Sequence, residues 1–154
     1  SIPLIFSVNA AERMRIDSSG NVGIGTTPSY KLDVNGKLNA ANGLVTRAYS
    51  TTSLTSPWNW SSNTYDQLSL TALANTLTIS ADAGTPTDGQ KVIFRIKDNG
   101  TTQTLNWTTG SAKSFRAIGT TLPTTTASGK TVYVGCIFNA NANYWDVVAV
   151  IQES

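Results

Sequence analysis

The sequence predicts an all-β protein, a β segment that intertwines with copies of itself followed by an antiparallel, jelly-roll-like β-sandwich. Three observations carry that expectation. Apolar residues recur at every second position in short runs, glycine, asparagine and aspartate turns bound those runs, and no stretch has the apolar spacing of an amphipathic helix. At 154 residues the chain has room for one ordinary domain and an appendage.

The appendage is read from Glu12 to Leu38. Met14 and Ile16 alternate with charged neighbours, as do Leu32 and Val34, while Val22 and Ile24 alternate with glycine. Asp17 to Gly20 and Asn35-Gly36 supply the turns. Strands this short, about five residues or roughly 17 Å, offer two or three inward side chains each and cannot bury a face alone. The segment therefore needs copies of itself, as in a fibre where identical chains pool their apolar faces around one axis.

We divide the chain into residues 1–49, the intertwined segment, and residues 50–154, a C-terminal sandwich. Ser50 to Pro57 is polar, ends in proline and reads as a linker or edge crossing. Beyond it, Gln67 to Leu70, Thr76 to Ser80, Lys91 to Lys97, Thr102 to Trp107, Thr131 to Phe138 and Tyr144 to Ile151 read as strands. Two hairpins are expected, one around Asn139 to Asn143 joining the last two strands, the other around Asp98 to Gly100 joining the third and fourth. Val92, Phe94 and Ile96 form the core face of their strand, with Lys91, Ile93, Arg95 and Lys97 on the other. In the last strand Trp145, Val147, Ala149 and Ile151 oppose Tyr144, Asp146, Val148 and Val150. Both sets are largely apolar, so the strand is expected to be covered on two sides, one of them a subunit contact.

Composition narrows the function. Charged residues make up 13% of the chain, against roughly 25% in ordinary soluble domains, and Thr, Ser and Asn are abundant, the profile of an extracellular or virion β-protein. The net charge of +2 is scattered, which argues against nucleic acid, and no apolar run approaches a bilayer-spanning length, which argues against membrane insertion. Cys136 is alone and lies in an apolar run, so it is expected to be a small buried hydrophobe.

Catalysis finds little footing in these residues. The absence of histidine removes histidine-activated nucleophiles and histidine metal sites. Gly23-x-Gly25 has Pro28 where a dinucleotide fingerprint needs its third glycine. A paired-carboxylate glycosidase would have to draw on Asp66, Asp82, Asp88, Asp98 and Asp146, and the three in or beside turns are expected to cap their own backbone. Asp17 to Asn21 lacks the ligand spacing of a calcium loop. No enzyme activity, metal or cofactor is expected.

The phrase RMRIDSSGNVGIGT followed by LDVNG resembles, residue for residue, the collar and shaft segments of bacteriophage tail fibres and tailspikes. The tract GTPTDGQKVIFRIKDNGTTQTLNW, with YWDVVAV further on, is similar to C-terminal β-domains of phage tail proteins. The resemblance implies a virion protein, a homotrimer at the distal tip of the tail. The chain opens on serine in mid-pattern, and is expected to be the C-terminal part of a longer polypeptide whose N-terminal part joins the rest of the tail.

Within that setting the expected function is adsorption to a bacterial surface polysaccharide, capsule or lipopolysaccharide, without cleaving it. Sugars are held by aromatic rings against the pyranose face and by polar groups at its rim. The candidate receptor-binding residues are Trp58, Trp60, Tyr65, Lys113, Arg116 and Tyr144, from the segment past the linker, the loop Thr109 to Arg116 and the last turn; Trp107 and Trp145 are expected in the core. The alternatives are a purely structural shaft and trimerisation cap, or part of a capsule-depolymerising tailspike.

Overall fold

A computed structural model describes residues 2–41, 43 and 45–154. Among them there are twelve β-strands and no helix, so the chain is all-β, and no helix is long and apolar enough to cross a membrane. The chain divides into two compact units, Ser1–Leu44 and Val45–Ser154.

The first unit is one sheet of β1 (Leu4–Val8), β2 (Ala11–Ile16), β3 (Val22–Ile24) and β4 (Leu32–Val34), in that order. The β2–β3 connection is set by Asp17, whose Oδ1 accepts the N–H groups of Ser19 and Asn21 at 2.8 and 2.9 Å. Gly20, at φ 73°, closes the turn onto the Asp17 carbonyl at 3.0 Å. Gly23 is required by space, because a Cβ there would run into the Thr26 carbonyl and the Pro28 ring. Residues opposite one another share a face, and the register lines up two apolar rows across all four strands. One is Leu4, Ile16, Val22 and Leu32, the other Phe6, Met14, Ile24 and Val34. Leu4, Phe6, Ile24 and Leu32 each keep 43–56% of their surface exposed.

The second unit is built on a six-stranded sheet. It comprises β5 (Ala48–Thr51), β6 (Gln67–Leu73), β8 (Lys91–Asp98), β10 (Phe115–Ala117), β11 (Thr131–Asn139) and β12 (Tyr144–Gln152), in the order β10-β12-β11-β8-β6-β5. A second sheet pairs β7 (Leu77–Ile79) with β9 (Leu105–Trp107), and Trp58 bridges to Ile79 beside it. Val92, Phe94 and Ile96 lie in the core as their alternation predicts, joined by Leu68, Leu70, Val132, Val134, Phe138, Trp145 and Val147. Phe94 is the hub, meeting Trp58, Trp60, Trp107 and Phe115 edge-on at centroid distances of 5.2–5.8 Å.

The structure corrects several expectations. The sheets are mixed rather than antiparallel throughout: β10–β12, β5–β6, β6–β8 and β7–β9 are parallel pairs. The turn at Asp98 to Gly100 does not close a hairpin, because β8 pairs with β6 and β11 while β9 pairs with β7 in the other sheet. Asp98 takes the chain from one sheet to the other, its buried carboxylate accepting the N–H groups of Gly100 and Gly129 and the Thr126 hydroxyl. The hairpin of β11 and β12 forms as expected, but a bulge between Gly135 and Cys136 places Val148 as an extra residue. Side-chain direction flips there, so Trp145 and Val147 point inward while Ala149 and Ile151 do not, and Val150 packs on the core instead. Ser50 and Thr51, read as linker, belong to edge strand β5, and the division between units falls after residue 44 rather than 49.

Candidate functional site

The structure separates the six candidate residues. Trp58 and Trp60, the pair expected to stack on sugar, are 4% and 3% exposed and belong to the core. Their burial follows from Phe94, which takes both rings edge-on, and from the Ser80 carbonyl, which accepts the Trp60 indole N–H at 2.9 Å. Only their margins reach the surface.

Those margins and Tyr65 line a groove of about 320 Å³ together with Tyr49, Leu54, Thr55, Pro57 and Asn59. The two tyrosine rings lie 5.1 Å apart, tilted by 47°, half-buried against the core cluster. Tyr49 is placed by β5, where it stands opposite Leu68 of β6. The groove thus has aromatic walls, an aliphatic patch from Leu54 and Pro57, and amide and hydroxyl groups from Asn59 and Thr55. Tyr49 had no signal in the sequence beyond its aromatic ring, since its strand has four residues and a partner nineteen positions away.

Arg116 and Tyr144 come together elsewhere, at the β10–β12 pairing. Arg116 donates to Asp146 through Nε at 2.8 Å and Nη2 at 2.9 Å, and its guanidinium lies 5.3 Å from the centre of the Tyr144 ring. Asn139 adds a third bond to Asp146 at 3.1 Å. These groups satisfy one another. The loop Thr109 to Arg116, expected to be exposed, packs down at its end, with Ser114 and Phe115 buried and Arg116 in β10. Lys113 is likewise engaged: its Nζ donates to the Gly84 carbonyl at 2.7 Å and its N–H to the Asn143 carbonyl at 2.8 Å.

A second polar cleft, about 540 Å³, is lined by Arg47, Asn63, Asp66, Thr87, Asp88 and Gln90, among others. Two of its three charges are spent on each other, Arg47 gripping Asp66 at 2.6 and 3.0 Å, a pairing that holds the Asp66 carboxyl below its usual range. The remaining carboxylates considered for glycosidase chemistry also have protein donors. Asp82 accepts from Ser62 and Gly84, Asp88 from Ala140, Asp98 from Thr126 and two N–H groups, and Asp146 from Arg116. Among the described residues no group of three or more Cys, Asp or Glu side chains is placed to hold a metal ion.

The described residues thus form an all-β chain of two units, the second of which carries a surface groove walled by Tyr49, Tyr65 and the margins of Trp58 and Trp60. No family model, curated protein or solved structure matches the chain.

Proposed function

We propose that the chain is a non-catalytic bacteriophage tail-fibre module that works as a homotrimer on the virion and adsorbs to a bacterial surface glycan. The observation that carries the glycan reading is the Tyr49–Tyr65 groove, which offers ring faces and aliphatic surface with an amide and a hydroxyl at its margin. The site moves from the two tryptophans to the two tyrosines.

Self-association is supported by the first unit. Its two apolar rows cross the whole sheet, with Leu4, Phe6, Ile24 and Leu32 exposed and the other four residues half-buried in a single chain, whereas contiguous apolar patches beyond a few hundred Å² are rare on monomeric proteins. Joining identical chains would also turn weak sugar contacts into useful avidity. The bonded state of the candidate carboxylates supports binding without cleavage.

Titration of the intact protein with capsular and lipopolysaccharide fragments, followed by tryptophan fluorescence, tests the reading. Tyr65→Ala and Tyr49→Ala should each weaken binding about fivefold, the worth of about 1 kcal/mol of ring stacking. A second reading, a structural shaft cap, is favoured by the burial of Trp58, Trp60 and Trp145, which leaves little aromatic surface for sugar. Binding of no polysaccharide by the associated protein, together with no block of phage adsorption, would leave that second reading standing.

A further inference from the structure

The outer face of the six-stranded sheet carries a groove of about 570 Å³ that none of the candidate residues predicted. The register writes its floor. Ser50, Ser69, Arg95 and Tyr133 lie opposite one another in a single row across β5, β6, β8 and β11, and Lys97 stands opposite Thr131 in the next row. Leu68 and Leu70 turn into the core, so Ser69 between them faces outward with Arg95. Gln67 and Thr71 complete the lining, and Tyr49 reaches it from the edge strand.

Three features mark this groove as unfinished. The Arg95 guanidinium lies 5.5 Å from the centre of the Tyr133 ring, an arrangement that holds the planar group by its face and leaves its N–H edges available. Among the described residues, neither Arg95 nor Lys97 has an ion-pair partner; the nearby Glu153 carboxylate is engaged on the Thr131 N–H at 2.8 Å. The Ser69 hydroxyl is buried, at 6% residue exposure, and has no hydrogen-bond partner. A buried hydroxyl left unpaired is costly, and most such groups in folded proteins find a partner. Here the missing partner would sit in a groove with two unpaired cations.

We infer that this groove is an oxyanion site, taking a carboxylate or phosphate group on the surface glycan, with Arg95 as the bidentate donor, Lys97 as the second charge and Ser69 as the buried hydroxyl donor. An arginine fork matches the two oxygens of either group, and hydroxyls of Ser50, Thr71 and Thr131 are at hand for the sugar that carries it. The site rests on the glycan reading for its ligand, and Tyr49 lines both this groove and the aromatic one. An acidic polysaccharide could therefore lay a ring on the tyrosines and its charge on the sheet face.

Calorimetry on the intact chain tests this with a tetramer of galacturonic acid, its neutral methyl ester and inorganic phosphate. The acid should bind about tenfold or more tightly than the ester, the worth of one charge-assisted hydrogen bond, and Arg95→Gln and Lys97→Ala should reduce the acid to the level of the ester. Ser69→Ala should weaken the acid while leaving the melting temperature unchanged or higher, an effect that loss of structure cannot produce. Competition by inorganic phosphate stronger than that by the uronate would support the site and assign it to a phosphate-bearing glycan. Equal binding of acid and ester would overturn the site and leave the aromatic groove intact. Acid binding insensitive to Tyr49→Ala and Tyr65→Ala would support the site and remove the tyrosines from the glycan reading. No binding of either anion at millimolar concentrations would overturn the proposal.

Discussion

The indole N–H of Trp145 donates to Oδ2 of Asp82 at 3.3 Å, while Oδ1 of the same carboxylate accepts the N–H groups of Ser62 and Gly84 at 2.9 and 2.7 Å. Asp82 is 3% exposed. One buried side chain thereby fastens β12 to two loops that precede β8 in the chain, and only glycine fits at position 84, because a Cβ there would come within 2.5 Å of the Ser62 hydroxyl.

Asp82→Asn should consequently destabilise the second unit. The amide keeps the acceptor for Ser62 and Gly84 but sets an N–H₂ against the Trp145 N–H, leaving buried donors facing each other. The expected cost is about 1–3 kcal/mol, a fall of several degrees in a thermal melt. An unchanged melting temperature would show that this carboxylate does not hold β12.

Asp98 sets an acid limit. Burial alone would raise its pKa, but bonds from the Thr126 hydroxyl and the Gly129 and Gly100 N–H groups outweigh that, and Lys97 adds a favourable charge, so the pKa is lowered. Its stabilising contribution is present above the unfolded pKa of about 3.9 and is lost as pH falls through the lower folded value. Melting temperature should drop as the pH is taken below about 4, with Asp98→Asn less stable at neutral pH and less sensitive to acid. A flat profile for the unsubstituted protein across that window would contradict this.

The apolar rows of the first unit predict association through that sheet. Ile24→Asp, which places a charge beside Met14 and Val34, should convert the associated protein to monomer in light scattering. The melting of residues 45–154 should be preserved, because their core is separate. If the variant keeps the mass of the unsubstituted protein, the rows are not the contact.

Cys136 should be inert while folded. It is 2% exposed, and burial pushes its thiol pKa up, so almost no thiolate is present at neutral pH. A chromogenic disulfide reagent should titrate no thiol in the native protein and one per chain in denaturant. Rapid native labelling would place the residue outside the core.

Much of this architecture is legible in short windows of sequence. Alternation put Val92, Phe94 and Ile96 in the core and Arg95 and Lys97 on the opposite face, and asparagine-rich turn chemistry set the β11–β12 hairpin. Both depend on neighbours a few positions apart, where backbone sterics and hydropathy act directly. The three-residue strands β3, β4, β7, β9 and β10 hold barely one period, so their partners cannot be read from them.

The surfaces proposed for binding depend on such distant pairings. Trp58 and Trp60 carry no local mark of burial; Phe94, more than thirty positions away, decides it. The bulge opposite Cys136 reverses the facing of Ala149 and Ile151 without any change in the alternation of β12 itself. Ser69 meets Arg95 only because β6 and β8 run parallel, and Tyr49 meets Tyr65 only because β5 joins the edge of that sheet. Strand class, turns and the inward face of the long strands can be read from the chain, since they follow from period-two chemistry between near neighbours. Which aromatics remain at the surface, and which hydroxyl faces which cation, was decided by tertiary structure, because the pairing of distant strands minimises the free energy of the whole core rather than of any one segment.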